Sequence, residues 1–178
     1  EKRGLLNLKS TPEAYSHLLD AKNKKVLSEH GILSEVELAS RYEIYNENYS
    51  KVINIEALTM LDMAKKLYLP AASKYAKELA EIVSLKKAAG GADDSYESEL
   101  LAKVSSLTAS IYNKVKALDK AVIEAKNVSE TGALALYYRN TVFQAMSELR
   151  ENVDELEGCV PAEVWPVPSY ADLLFSVK

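Results

Sequence analysis

The sequence predicts an all-α fold, and three observations predict it. Apolar side chains recur at spacings of three, four and seven along most of the 178 residues. Chain breakers are scarce, with 6 Gly and 5 Pro, and Pro161, Pro166 and Pro168 crowd near the C-terminus, so the middle of the chain is free for long helices. No stretch alternates with period two for long enough to demand a sheet. The expected architecture is a long-helix antiparallel bundle of three long helices, one kinked near Pro70. A short N-terminal helix and an extended C-terminal tail complete it. In segments, residues 1–33 are a lead-in and first helix, 34–158 the bundle, and 159–178 a Pro- and aromatic-rich tail packing on the bundle or on a neighbouring domain.

Each element has its own signals. The first helix opens with Thr11 as N-cap and Pro12 at the first helical position, and Gly31 after His30 stops it. Ser34-Glu35-Val36-Glu37 is a capping box. It opens the long helix over residues 34–88, whose stripe is Tyr42, Tyr45, Tyr49, Val52, Ile53, Met60 and Leu67. Pro70 removes a backbone donor and crowds the carbonyl four residues back, so a bend is expected at Leu69-Pro70. The stripe resumes at Ala72, Tyr75, Leu79 and Ile82. Gly90-Gly91 marks a loop. A third helix covers about residues 95–126, with Leu100, Val104, Leu107, Ile111, Leu118, Val122 and Ala125 inward. Ser129 can cap a fourth helix over about 130–157, carrying Val142, Met146, Leu149, Val153 and Leu156 inward, and Gly158 ends it. Helices of ~30 residues are about 45 Å long, and short turns between them force antiparallel neighbours. The front half of the long helix either projects or packs against the first helix.

Composition narrows the function classes. Hydrophobic residues are 48% and charged residues 27%, which is globular rather than disordered. A net charge of −4 from 22 basic and 26 acidic residues, well mixed, argues against nucleic acid and anionic membrane as partners. Cys159 is the single cysteine, so no internal disulfide forms, and a cytoplasmic location is expected. No apolar run approaches the ~20 residues that span a bilayer. The first residue is Glu1 and no signal peptide is discernible, as expected of a piece of a longer polypeptide.

No catalytic constellation converges in the sequence. His17 follows Glu13 by four, a helix-surface pair rather than a metal centre, and no Glu-x-x-His pair of the di-iron type occurs. Cys159 sits at a helix C-terminus, where the dipole disfavours a thiolate. Gly90-Gly91 lacks the Lys-Ser/Thr of a phosphate loop. Carboxylates such as Asp93, Asp94, Glu97, Glu148 and Glu155 read as solvated helix-surface charge. No catalytic, cofactor-binding or metal residue is therefore assigned. The tail differs: Trp165, Pro166, Pro168, Tyr170, Leu173, Leu174 and Phe175 form a segment too apolar to float free, either a strap on this domain or a candidate interface with another.

Three segments are specific enough to compare. They are Lys2-Arg3-Gly4-Leu5-Leu6-Asn7-Leu8, the run Leu33 to Tyr45 around Ser40-Arg41-Tyr42-Glu43-Ile44-Tyr45 leading into Asn54-Ile55-Glu56-Ala57 and Met60-Leu61-Asp62-Met63-Ala64, and Trp165-Pro166-Val167-Pro168-Ser169-Tyr170-Ala171-Asp172-Leu173-Leu174-Phe175. Together they resemble the C-terminal region of the type III glutamine synthetases, the long-chain bacterial form. The resemblance implies a parent enzyme that ligates ammonia to glutamate through γ-glutamyl phosphate, using ATP and Mg or Mn, in large homo-oligomers. The family's Asn-Gly-Ser-Gly-x-His segment is absent, so the resemblance carries no catalytic residue to this chain. It implies a non-catalytic helical region, inactive alone, with an upstream catalytic domain and neighbouring subunits as partners. A stand-alone helical adaptor is the alternative that composition supports equally.

Overall fold

Start signals set most of the helix boundaries. In the computed structural model, which describes residues 3–175, the Ser34 box forms: Ser34 Oγ accepts from the Glu37 N–H at 3.2 Å, and Glu37 Oε2 accepts from the Ser34 N–H at 2.8 Å. Helix makes up 78% of the described residues, and no strand occurs among them, so the fold is all-α as expected.

The helices are α1 (Thr11–Ser16), α2 (Ala21–Glu29), α3 (Glu35–Met63), α4 (Leu69–Ala88), α5 (Ser95–Ala125), α6 (Thr131–Tyr137), α7 (Phe143–Glu157) and α8 (Tyr170–Leu174). A π-helical turn, Ala64–Tyr68, joins α3 to α4 in a helical run of 54 residues. Pro70 lies in the first turn of α4. In the π turn the Leu69 N–H reaches back five residues to the Ala64 carbonyl, which widens the helix where the proline ring would otherwise crowd the Lys66 carbonyl.

Local chemistry departs from expectation in four places. The first helix is not continuous. Asp20 turns extended (ψ 139°), its carboxylate engages His17 Nδ1 at 2.8 Å, and Asn23 Nδ2 donates to the His17 carbonyl, leaving a 3₁₀ turn, His17–Leu19, between α1 and α2. Ser10, not Thr11, is the N-cap of α1. Glu130, not Ser129, caps α6, because its carboxylate accepts from the Gly132 and Ala133 N–H groups. The fourth helix is interrupted by a second π turn, Tyr138–Val142, with no proline involved. The stops were legible: Gly31 (φ +62°) follows α2, and Gly90 (φ +83°) and Gly91 (φ +122°) form the loop after α4, conformations that favour glycine.

The chain forms two compact units. Of the described residues, the first holds 3–58 and 120–144, the second 59–119 and 145–175. In the second unit, cross-helix pairs fix direction. Lys86 meets Glu97 and Lys65 meets Asp119, so α5 runs antiparallel to the π turn and α4. Lys103–Glu155, Ser110–Asn152 and Lys114–Glu148 set α7 antiparallel to α5. Its core is Leu79, Val83, Val104, Leu107, Ile111, Val115, Leu118, Met146, Leu149, Val153 and Leu156. The apolar stripes expected for the third and fourth helices are thus inward, apart from Leu100, which is half-buried.

The first unit is built differently. Tyr15 of α1 stacks on Tyr45 of α3 at 5.3 Å, so the front of the long helix packs rather than projects. Tyr138 Oη donates to Asn54 Oδ1 at 3.1 Å, and Tyr137 Oη to the Ala121 carbonyl at 3.3 Å, tying α3 and the end of α5 to the α6 segment. The buried face of α3 is Leu38, Asn46, Ser50, Ile53, Ala57 and Leu61. Tyr45 and Val52, expected inward, are exposed instead. Two polar residues take the inward positions because each satisfies itself within the helix: Asn46 Nδ2 donates to the Tyr42 carbonyl, and Ser50 Oγ to the Asn46 carbonyl, both at 3.0 Å.

Candidate functional site

The tail splits into two halves. Val160 and Trp165 are buried, and the Trp165 ring stacks on Tyr68, centroids 5.2 Å apart and planes 14° from parallel. Tyr68 closes the first π turn, so the widened helix and the tryptophan meet at one spot in the second unit. Trp165 Nε1 is buried without a hydrogen-bond partner among the described residues, so ring burial has to outweigh a cost of about 1–3 kcal/mol. Pro166 and Pro168 are exposed. Tyr170 begins α8, and its side chain lies outside the described residues.

The second half faces outward. Leu173, Leu174 and Phe175 are exposed, Phe175 to 82%. They sit on or just after a short helix that the sequence reading left extended. Ser169 caps it: Ser169 Oγ accepts from the Asp172 N–H, and Asp172 Oδ2 accepts from the Ser169 N–H. The Ser169 hydroxyl, which donates to Asp172 Oδ2 at 2.7 Å, and then the Ser169 N–H hold the Asp172 carboxyl below its ordinary value. Ser-x-x-Asp was the signal that could have found it. The structure therefore does not gather the seven candidate interface residues into one surface. It anchors Trp165 and presents Leu173, Leu174 and Phe175.

Several charged groups are engaged with each other. Lys86 Nζ donates to both Glu97 carboxylate oxygens at 2.7 Å and to the Asp93 carbonyl at 3.0 Å, and the lysine holds the Glu97 carboxyl below its ordinary value. Lys87 lies 3.6 Å from Asp94. Both lysines end α4 and both acids sit at the start of α5, so each pair also complements the helix dipoles. Lys103 is pushed up, first by its hydrogen bond to Glu155 and then by the nearby Cys159 sulfur. Cys159 itself is half-buried.

His17 and Glu13 do not come together. α1 stops at Ser16, His17 turns to Asp20, and Glu13 Oε2 accepts from the Lys9 N–H. Among the described residues no group of three or more His, Cys, Asp or Glu side chains converges. No helix of the described residues is long and apolar enough to cross a membrane.

Sequence reasoning missed a second surface. Ile44, Val52, Ile55 and Leu58 on α3 are exposed, as are Leu5 and Leu6 in the irregular lead-in. All lie in the first unit. The signal was present in the helix period, because these positions fall opposite Leu38, Ile53 and Ala57.

Fold and surface together define the class: an all-α bundle module with self-paired charge and exposed aliphatic patches. The family described as "Glutamine synthetase C-terminal domain" matches residues 1–87. A glutamine synthetase of Butyrivibrio fibrisolvens is 35% identical over 178 residues, 99% of this chain and 25% of that protein. A type-3 glutamine synthetase of Dictyostelium discoideum is 38% identical, covering 97% of this chain and 24% of its own length. A glutamine synthetase of Bacteroides fragilis is 30% identical over 98% of this chain and 25% of its own. Along almost its whole length the chain is similar to the C-terminal region of glutamine synthetases, and it spans about a quarter of the length of the curated relatives it matches.

Proposed function

We propose that this chain is the non-catalytic helical C-terminal region of a glutamine synthetase whose parent ligates ammonia to glutamate with ATP and Mg or Mn. The observation that carries the reading is similarity along 97–99% of this chain to proteins named glutamine synthetase. The parent is cytoplasmic, and the partners of this region are the upstream catalytic domain and neighbouring subunits of a homo-oligomer, with no nucleic acid or membrane. Residues 34–158 act as the bundle, and residues 159–178 as a tail joining it to its surroundings. The region serves packing, oligomer contacts or access to the active site.

Among the described residues no three His, Cys, Asp or Glu side chains come together as ligands for a divalent ion. Glu97, Glu155 and Glu148 are each engaged by a lysine of a neighbouring helix. No catalytic step is assigned to them. The direct test is glutamine formation from glutamate, ammonia and ATP. Full-length protein is expected to turn over, and the 178-residue chain alone to give none. Turnover by the chain alone would refute the reading.

A further inference from the structure

The helix α3 is apolar on two sides. Its inner side is the buried row from Leu38 to Leu61. Its outer side carries Ile44, Val52, Ile55 and Leu58, at steps of eight, three and three, all between 44% and 63% exposed. At 3.6 residues per turn these four point roughly opposite to the buried row. An exposed aliphatic row on the side of a helix away from its core marks a surface that a partner can cover. Here the inner row even holds the polar Asn46 and Ser50, while larger aliphatics stand outside.

The charges along the outer side are self-contained. Lys51 pairs with Glu47 at 2.7 Å, and Asp62 with Lys66 at 2.5 Å. Such a face offers no net field to a nucleic acid or an anionic lipid, and fits an apolar protein surface. The lead-in of the same unit adds Leu5 and Leu6, 70% and 64% exposed on irregular backbone.

We infer that the outer face of α3, with Ile44, Val52 and Leu58 as its anchors, is covered in the intact protein by the upstream part of the same polypeptide. This rests on the reading that the chain is the C-terminal region of a glutamine synthetase. The relatives supply the occupant: this chain matches only about a quarter of their length, at the C-terminal end. A surface joined to its partner through one chain meets it at millimolar effective concentration, which a separate second copy does not match.

The test is hydroxyl-radical footprinting of the full-length protein, comparing Leu58 with Leu85, a leucine 70% exposed in the second unit. A several-fold lower labelling of Leu58, and of Ile44 and Val52 with it, is the expected result. Labelling of Leu58 as heavy as that of Leu85 overturns the inference. p-Benzoylphenylalanine in place of Val52 identifies the cover. An intrachain cross-link to an upstream peptide supports the inference, whereas a cross-link to a second copy, or none, overturns it. Glutamine formation by the same preparation is scored separately. A protected face in a protein that makes no glutamine defeats the glutamine synthetase reading, and an unprotected face in an active enzyme defeats only the docking.

Discussion

Gly132 is set by one hydroxyl. A Cβ there would come within 3.0 Å of Tyr42 Oη, with the ring carbon behind it at 3.2 Å, and Glu130 Oε1 would stand at 3.1 Å. Glycine therefore lets α6 approach α3 closely, although nothing about its φ demands it. Burial, together with the Glu130 and Glu43 carboxylates, pushes the Tyr42 phenol up, so it stays a neutral hydroxyl against the helix start. Gly132→Ala should destabilise the protein by about 1–3 kcal/mol through overpacking. Tyr42→Phe removes the clashing oxygen, so the double variant should recover most of that loss. A double-mutant cycle in urea reads the coupling, and simple additivity of the two losses would show that Tyr42 Oη is not the obstacle.

Helical elements were legible wherever inward positions are uniformly apolar, as in α5, whose row from Val104 to Ala125 needed only its period. α3 was not, because small and self-bonded polar residues took its inner side and aliphatics its outer one. The split of the tail was equally hidden: Trp165 and Phe175 are both apolar and irregularly spaced, and only packing separates them. The π turns show the same contrast. Near Pro70 a break was readable from the missing N–H, whereas the turn at Tyr138–Val142 has no local cause and coincides with the buried Tyr138 and its bond to Asn54. Pro70→Ala restores the N–H and relieves the Lys66 carbonyl, so Ala64–Tyr68 should return to regular α-helix. A crystal structure of the variant that keeps the π turn would assign it to the packing of Ala64, Ala71 and Ala72 instead. The loop joining α4 to α5 has a pH signature. Because Lys86 depresses the Glu97 carboxyl in the folded state, its contribution is present above about pH 4.3 and is lost as pH falls through the lowered folded value. The stability gap between wild type and Glu97→Gln should therefore be open at neutral pH and narrow as acid protonates the carboxylate below its ordinary range. A gap constant across urea titrations over that range would contradict this.

At the scale of the whole chain, the tail has a buried half and an exposed half, and truncation separates them. Removing everything after Ser169 deletes Leu173, Leu174 and Phe175, which are exposed and add little to the second unit, so its stability should change by no more than about 0.5 kcal/mol. Removing everything after Cys159 also deletes the buried Val160 and Trp165 and strips the stacked ring from Tyr68. Loss of a buried tryptophan ordinarily costs about 3–5 kcal/mol, and the orphaned indole N–H places this one toward the lower end. Amide exchange in α5 and α7 of the full-length protein reads both variants without requiring the chain to fold alone. The long truncation should speed exchange of the slowest amides in those helices, on the order of a hundredfold for 3 kcal/mol, while the short one leaves them unchanged. Equal protection in both variants would mean that the α4, α5 and α7 bundle holds itself together and that Trp165 rides on it as a passenger. Equal loss in both would place the structural weight on α8 instead.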